Sequence, residues 1–266
     1  MIRLAFILFC IVSYKSLHAQ SDKAQLKIAY QMVLSSKKND QSGDDSRRVY
    51  NYSLLCNSEK SVYADPALKD FYKVLRKNRI QQQTPDLSRD IYPKSKSSVY
   101  KDRQNLIATL PIRSNLYTFP EPNLKWEVIR NEKKDILGNT CFKAKTLTDT
   151  GKLYYAWYCP EISIPDGPFR FKGLAGIVLE VHNEDSTLMI EAVKIEKSDE
   201  IIEPIAYAGA IDLSDKSTFL KKRSEFIENP NSERFSSPYK AYTLDGKEIK
   251  ADHRKSLKIN ESILLD

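Results

Sequence analysis

Hydrophobic and polar positions alternate with a period of two over much of this chain. Leu26, Ile28, Tyr30, Met32 and Leu34 stand at every second position, and Tyr50, Tyr52, Leu54 and Cys56 do so again. Successive strand side chains point to opposite faces, so each run predicts a half-buried strand. The polar stretch between them carries Gly43-Asp44-Asp45 and predicts a long hairpin loop. Short strands are expected at 105–110, 116–119 and 124–129, punctuated by Pro111, Pro120 and Pro122. A turn at Lys133-Lys134-Asp135 leads to another strand from Ile136. Strands are expected again at 177–182 and 187–195, turning at 183–186, with one or two more over 201–213.

A helical period occurs twice. Leu68, Phe71, Tyr72 and Leu75 form one stripe behind Asp65-Pro66, a capping residue and a first-turn proline. Lys69, Lys73, Arg76, Lys77 and Arg79 lie mostly off that stripe and read as a solvated face, with acidic lipid headgroups as the functional alternative. Phe219, Leu220, Phe226 and Ile227 follow Ser214-Asp215 in the same manner. Many short strands and two helices predict a mainly β (α+β) fold. The expected form is a curved antiparallel sheet or partial barrel with the helices packed on one side.

The clearest hairpin joins 139–148 to 152–160 through Asp149-Thr150-Gly151. A three-residue loop ending in glycine suits a type I turn closed by a glycine bulge. That loop sets the register: Phe142 faces Tyr158, Lys143 faces Trp157, and Cys141 faces Cys159. Opposed strand residues have Cα atoms about 4.5–5.5 Å apart, within disulfide reach. Cys141–Cys159 is therefore a candidate bridge, with buried free thiols as the alternative.

Trp157 to His182 is the stretch that organises the rest. It holds Gly167-Pro168 after Pro165-Asp166, then Gly173-Leu174-Ala175-Gly176 and the apolar run Ile177-Val178-Leu179. It reads as a strand, a tight Pro/Gly corner and a buried strand, with glycines where backbone must come close.

The first 19 of 266 residues change the picture of compartment. Arg3, the apolar run Leu4–Val12 and a small residue at Ala19 match a secretory signal peptide. Residues 20–266 then form one domain, with 229–266 a more loosely attached polar extension. No later apolar run is long enough for a membrane helix. The net charge of +7 comes from basic residues spread along the chain, which gives no nucleic-acid footprint. No motif assigns a catalytic residue, a metal site or a cofactor. His182 beside Glu184 and Asp185 fits no metal spacing. Gly176 lacks the lysine and hydroxyl residue that a phosphate loop needs after its last glycine.

With these residues in view, the chain resembles the GLPGLI family of exported bacterial proteins. The name-giving stretch corresponds to Gly173-Leu174-Ala175-Gly176-Ile177-Val178, flanked by Trp126, Trp157, Gly167-Pro168 and Phe171. Ala175 stands where the motif has proline. The resemblance implies a periplasmic or outer-membrane-peripheral protein of a Gram-negative envelope, with the motif as a structural signature. The expected function is non-enzymatic binding of an apolar or lipid-like ligand. The alternatives are a surface adaptor for an outer-membrane protein and a hydrolase whose site is assembled in space.

Overall fold

The structure, a computed structural model, describes residues 22–35, 47–81, 92–103 and 105–229. The expected signal peptide and nearly all of the C-terminal extension lie outside these residues.

The described strands are β1 (Leu26–Ser35), β2 (Arg47–Cys56), β3 (Ser61–Ala64), β4 (Ser98–Lys101), β5 (Leu106–Ile112), β6 (Asn115–Pro120), β7 (Trp126–Ile136), β8 (Asn139–Leu147), β9 (Leu153–Cys159), β10 (Ile177–Asn183), β11 (Leu188–Lys197) and β12 (Ile211–Asp212). Two helices join them, α1 (Leu68–Gln81) and α2 (Lys216–Glu228). All twelve strands form one open sheet in the order β12-β6-β5-β4-β3-β2-β1-β11-β10-β9-β8-β7. Every pairing is antiparallel except β12 with β6.

The sheet is strongly curled. β3 and β7 stand seven steps apart in the strand order. That is about 34 Å if the sheet were flat, at ~4.8 Å per step. Yet Lys172 touches both: its Nζ lies 3.2 Å from Ser61 on β3, and its carbonyl accepts from Trp126 Nε1 on β7 at 2.9 Å. One residue can bridge that span only if the sheet wraps around it. The concave face holds one continuous core running from Ile112 and Phe119 to Cys141 and Ala144. It is filled by residues 160–176, which cross from β9 to β10, and by α2, whose Phe219 stacks on Phe119 at 4.5 Å.

A mainly β chain with two helices is thus confirmed, but the helices divide between the faces. Tyr63 and Ala64 alternate on β3, and Leu116 and Tyr117 on β6. Tyr63 and Tyr117 join α2 in the concave core, whereas Ala64 and Leu116 pack on Leu68, Phe71 and Tyr72 of α1 outside it. Asp65 caps α1 as expected, accepting from Ala67 N at 2.9 Å, and Asp215 caps α2 through Thr218 N at 2.8 Å.

Two expectations fail locally. Lys133-Lys134-Asp135 is no turn: it lies inside β7, past a register shift between Ile129 and Lys133, and the turn falls at Leu137-Gly138. β7 is an edge strand with most side chains exposed, so it has no apolar alternation to read. Residues 201–213 also form almost no ladder. They cross the outer face as a strap, pinned by a bridge at Ile201 and by β12.

Candidate functional site

The crossing at 160–176 carries the residues singled out in the sequence. Trp157 leaves it on β9 and faces outward, with Lys134 and Lys143 Nζ at 5.8 and 5.7 Å from its ring. Gly167, Pro168, Leu174, Gly176 and Ile177 are buried, while Gly173 and Ala175 are exposed. Two glycines are dictated by close approach. A Cβ on Gly167 would meet the Phe171 carbonyl at 2.3 Å, and one on Gly176 the Cys159 carbonyl at 2.2 Å.

Beneath the corner lies a buried charge cluster. Asp166 is wholly inaccessible and pairs with Lys172 and, at 3.0 Å, with Lys101. Lys172 also donates to the Gly167 carbonyl at 2.8 Å, and Lys101 to the Pro165 carbonyl at 2.9 Å. Burial acts to raise the Asp166 carboxyl, but the two ammonium groups outweigh it and hold it below its ordinary value. Burial also pulls Lys172 down, against the pull of Asp166.

A second cluster closes the rim. Glu121 after β6 and Asp149 in the β8–β9 turn share Arg170 (2.9 and 2.6 Å) and Lys216 of α2 (2.9 and 3.0 Å). Burial raises Glu121 despite both cations, whereas Asp149, which burial would also raise, is lowered by Arg170 and Lys216. Asp166, Lys172, Glu121, Arg170 and Lys216 are buried while Asp149 stays a third exposed, and the two clusters tie the crossing, α2 and two turns together.

The register of β8 and β9 is the expected one: Phe142 opposes Tyr158 and Lys143 opposes Trp157, which leaves Cys141 opposite Cys159. The candidate bridge is nevertheless not formed. Cys56, Cys141 and Cys159 are free and buried, and the Cys141 thiol turns toward the Asn139 carbonyl at 3.5 Å. Burial pushes the Cys141 thiol up to about 12. His182 stacks on Tyr155 at 5.4 Å, and its Nδ1 lies 3.1 Å from the Asn183 carbonyl.

An open cleft lies elsewhere, on the outer face where the strap passes over β4, β5 and β6. Its volume is about 370 Å³, within the roughly 300–1,000 Å³ of ligand sites. Ser98, Tyr100, Thr109 and Thr118 give hydroxyls, Ile107, Pro204, Ile205 and Ala210 give apolar wall, and Asp212 is its carboxylate. Tyr207 roofs it. Its hydroxyl donates to the Lys96 carbonyl at 3.0 Å and lies 2.7 Å from Ser98 Oγ, and its ring meets Tyr72 of α1 edge-on at 4.9 Å. Burial pushes the Tyr207 and Tyr100 hydroxyls above their ordinary values, so both stay protonated hydrogen-bonding groups. Across β5 and β6 the Thr109 and Thr118 hydroxyls are 3.0 Å apart. The strap holds its height because Leu213 N donates to Thr118 O at 2.8 Å. Among the described residues, no cluster of three metal-ligating side chains occurs, and no helix is long and apolar enough to cross a membrane.

None of the cleft residues stood out in the sequence. Their only local signal is the outward half of the strand alternation, which reads as solvent-facing unless the strap is known to cover it.

The model of the N-glycanase peptide, N-terminal domain family matches residues 68–219, more than half of the chain. The chain belongs to this family. The match overturns the GLPGLI assignment. Gly173–Val178 remains a packing corner, but it is not that family's signature here. Two solved structures of PNGF-II are similar to this chain. The one in the C2 space group has a TM-score of 0.50 and 15% identity over 76% of this chain, and the one in P21 has 0.49 and 14% over 74%. At such identity the likeness is one of fold. The chain spans about a third of PNGF-II, 33% and 32% in the two structures. A LolA superfamily protein from Nitrosomonas europaea matches more loosely, with a TM-score of 0.26 and 7% identity over 71% of this chain and 93% of that one. No curated protein matches the chain.

Proposed function

We propose that this N-glycanase-type domain is a non-catalytic module that holds a sugar of an N-linked glycan in the cleft under the strap. The observation that carries the reading is the lining. A sugar ring presents an apolar C–H face and a fringe of hydroxyls. The cleft offers Ile107, Ile205 and Tyr100 for the former, and Ser98, Thr109, Thr118 and Asp212 for the latter. Hydroxyl side chains both donate and accept, which suits hydroxyl ligands. The family's name supports a glycan as ligand. The exported, envelope-side location expected from residues 1–19 is part of this proposal.

The apolar, lipid-like cargo has weaker support. A curved sheet would hold it on the concave face, and Phe169, Phe171, Leu174, Phe219 and Phe226 fill that face. The apolar hollow between Leu55, Val62, Pro66 and Ile201 is about 100 Å³, below the roughly 300 Å³ floor of ligand pockets.

Calorimetric titration of the full chain with a released high-mannose N-glycan tests the reading. Binding is expected, and Tyr100→Ala weakens it about ten-fold, the weight of one lost aromatic contact. Silence toward the glycan with saturable binding of a fluorescent fatty acid would transfer the site to the lipid-like class.

A further inference from the structure

We propose that the cationic side of α1 docks on an anionic lipid surface. This inference is separate from the glycan reading: it uses the exposed basic residues of α1, of which Lys69 also meets the strap at Glu203. The buried residues of the helix are Leu68, Phe71 and Tyr72, all in its first turns. From Lys73 onward no residue is buried, so the second half of α1 projects from the sheet. Lys69, Lys73, Arg76, Lys77 and Ile80 follow the i, i+3, i+4 spacing that places them on one side. Arg79 adds charge at the tip, and Asp70 is the single acidic residue of the helix.

Lys69 pairs with Glu203 at 2.9 Å. Lys73, Arg76, Lys77 and Arg79 have no ion pair among the described residues. Like charges crowded on one short helix repel one another, and an anionic surface relieves that repulsion.

The apolar residue at the same end decides between a bilayer and an acidic protein. Ile80 is 83% exposed, the most exposed large hydrophobic side chain among the described residues. Lysine and arginine around a protruding isoleucine match a surface that meets headgroups and the acyl boundary together. An acidic polypeptide would use the charges and leave Ile80 in water.

Co-sedimentation of the full chain with mixed phosphatidylglycerol–phosphatidylcholine vesicles tests the proposal, with phosphatidylcholine vesicles as reference. The chain is expected to bind the mixed vesicles, to leave them as salt rises, and to ignore the reference. Arg76→Gln/Lys77→Gln is expected to weaken binding roughly twenty-fold, about five-fold per charge. Ile80→Ser is expected to weaken it further without altering the salt slope. These side chains are exposed, so unchanged melting temperatures verify that the variants fold. Equal partitioning to both vesicle types, or a double variant that binds like the wild type, overturns the proposal. Binding to polyglutamate with no binding to vesicles also overturns it and assigns the helix to an acidic protein partner.

Discussion

Asp166→Asn is expected to lose about 3–5 kcal/mol of stability at neutral pH, the usual consequence of removing one partner from a buried ion cluster. Lys172 is 4% exposed and Lys101 19%, and both aim at the lost carboxylate. The amide keeps the shape but leaves two ammonium groups beneath the corner with no counter-charge. The double change Asp166→Asn/Lys172→Met is expected to recover much of the loss, because an apolar replacement removes the stranded charge. Urea denaturation of the three proteins measures this. A single variant within about 1 kcal/mol of wild type, the weight of an exposed ion pair, would show that the cluster is hydrated.

The same carboxyl gives a pH dependence with a defined sign. Asp166 is held below its ordinary value in the folded chain. Its contribution is therefore present above the unfolded carboxyl pKa, about 3.9, and is lost as pH falls through the folded value. Asp149 is also lowered and acts in the same direction. Glu121 is raised, so its contribution is greatest below the unfolded value and declines as pH rises through the folded one. Wild-type stability should fall on acidification below about pH 4, and that slope should flatten in Asp166→Asn.

Gly176→Ala is the second large effect, about 1–3 kcal/mol or more from overpacking. The added Cβ would lie 2.2 Å from the Cys159 carbonyl oxygen and 2.7 Å from Pro160 Cα. Both are backbone atoms at the end of β9 and cannot rotate aside. Gly173→Ala is the control. Gly173 has φ +93° and nothing within 4 Å of a new Cβ, so it carries only the left-handed backbone penalty, about 1–2 kcal/mol. Thermal melts should rank Gly176→Ala below Gly173→Ala. The reverse order would mean that the corner relaxes around the methyl group and that β9 and β10 are not clamped there.

The contrast between these positions shows what could be read from the chain. Glycine spacing at Gly167 and Gly176 pointed to close backbone approach, because that requirement is local. The β8–β9 register was legible for the same reason: Asp149-Thr150-Gly151 fixes the turn, and the turn fixes every pair above it. Facing does not imply bonding for Cys141 and Cys159, since thiol orientation depends on surroundings that a register does not carry. β7 was misread because an exposed edge strand rich in charge has no buried face to betray it. The strap was read as strands because its apolar residues, Ile202, Ile205 and Ala210, seek the outer face of the sheet rather than a ladder. The charge clusters join residues 101, 166 and 172, and 121, 149, 170 and 216, and the cleft joins β4–β6 to a strap nearly a hundred residues on. Curling of the sheet brings these together, and no local pattern announces it.

Hydrogen–deuterium exchange of the full chain, with and without a released high-mannose N-glycan, tests the glycan-binding reading most directly. Slowed exchange confined to residues 98–118 and 204–212 is the expected result, with 160–176 unchanged because it packs in the concave core and lines no part of the cleft. Protection elsewhere, or none at a glycan concentration that saturates the calorimetric signal, would contradict the assignment of the cleft.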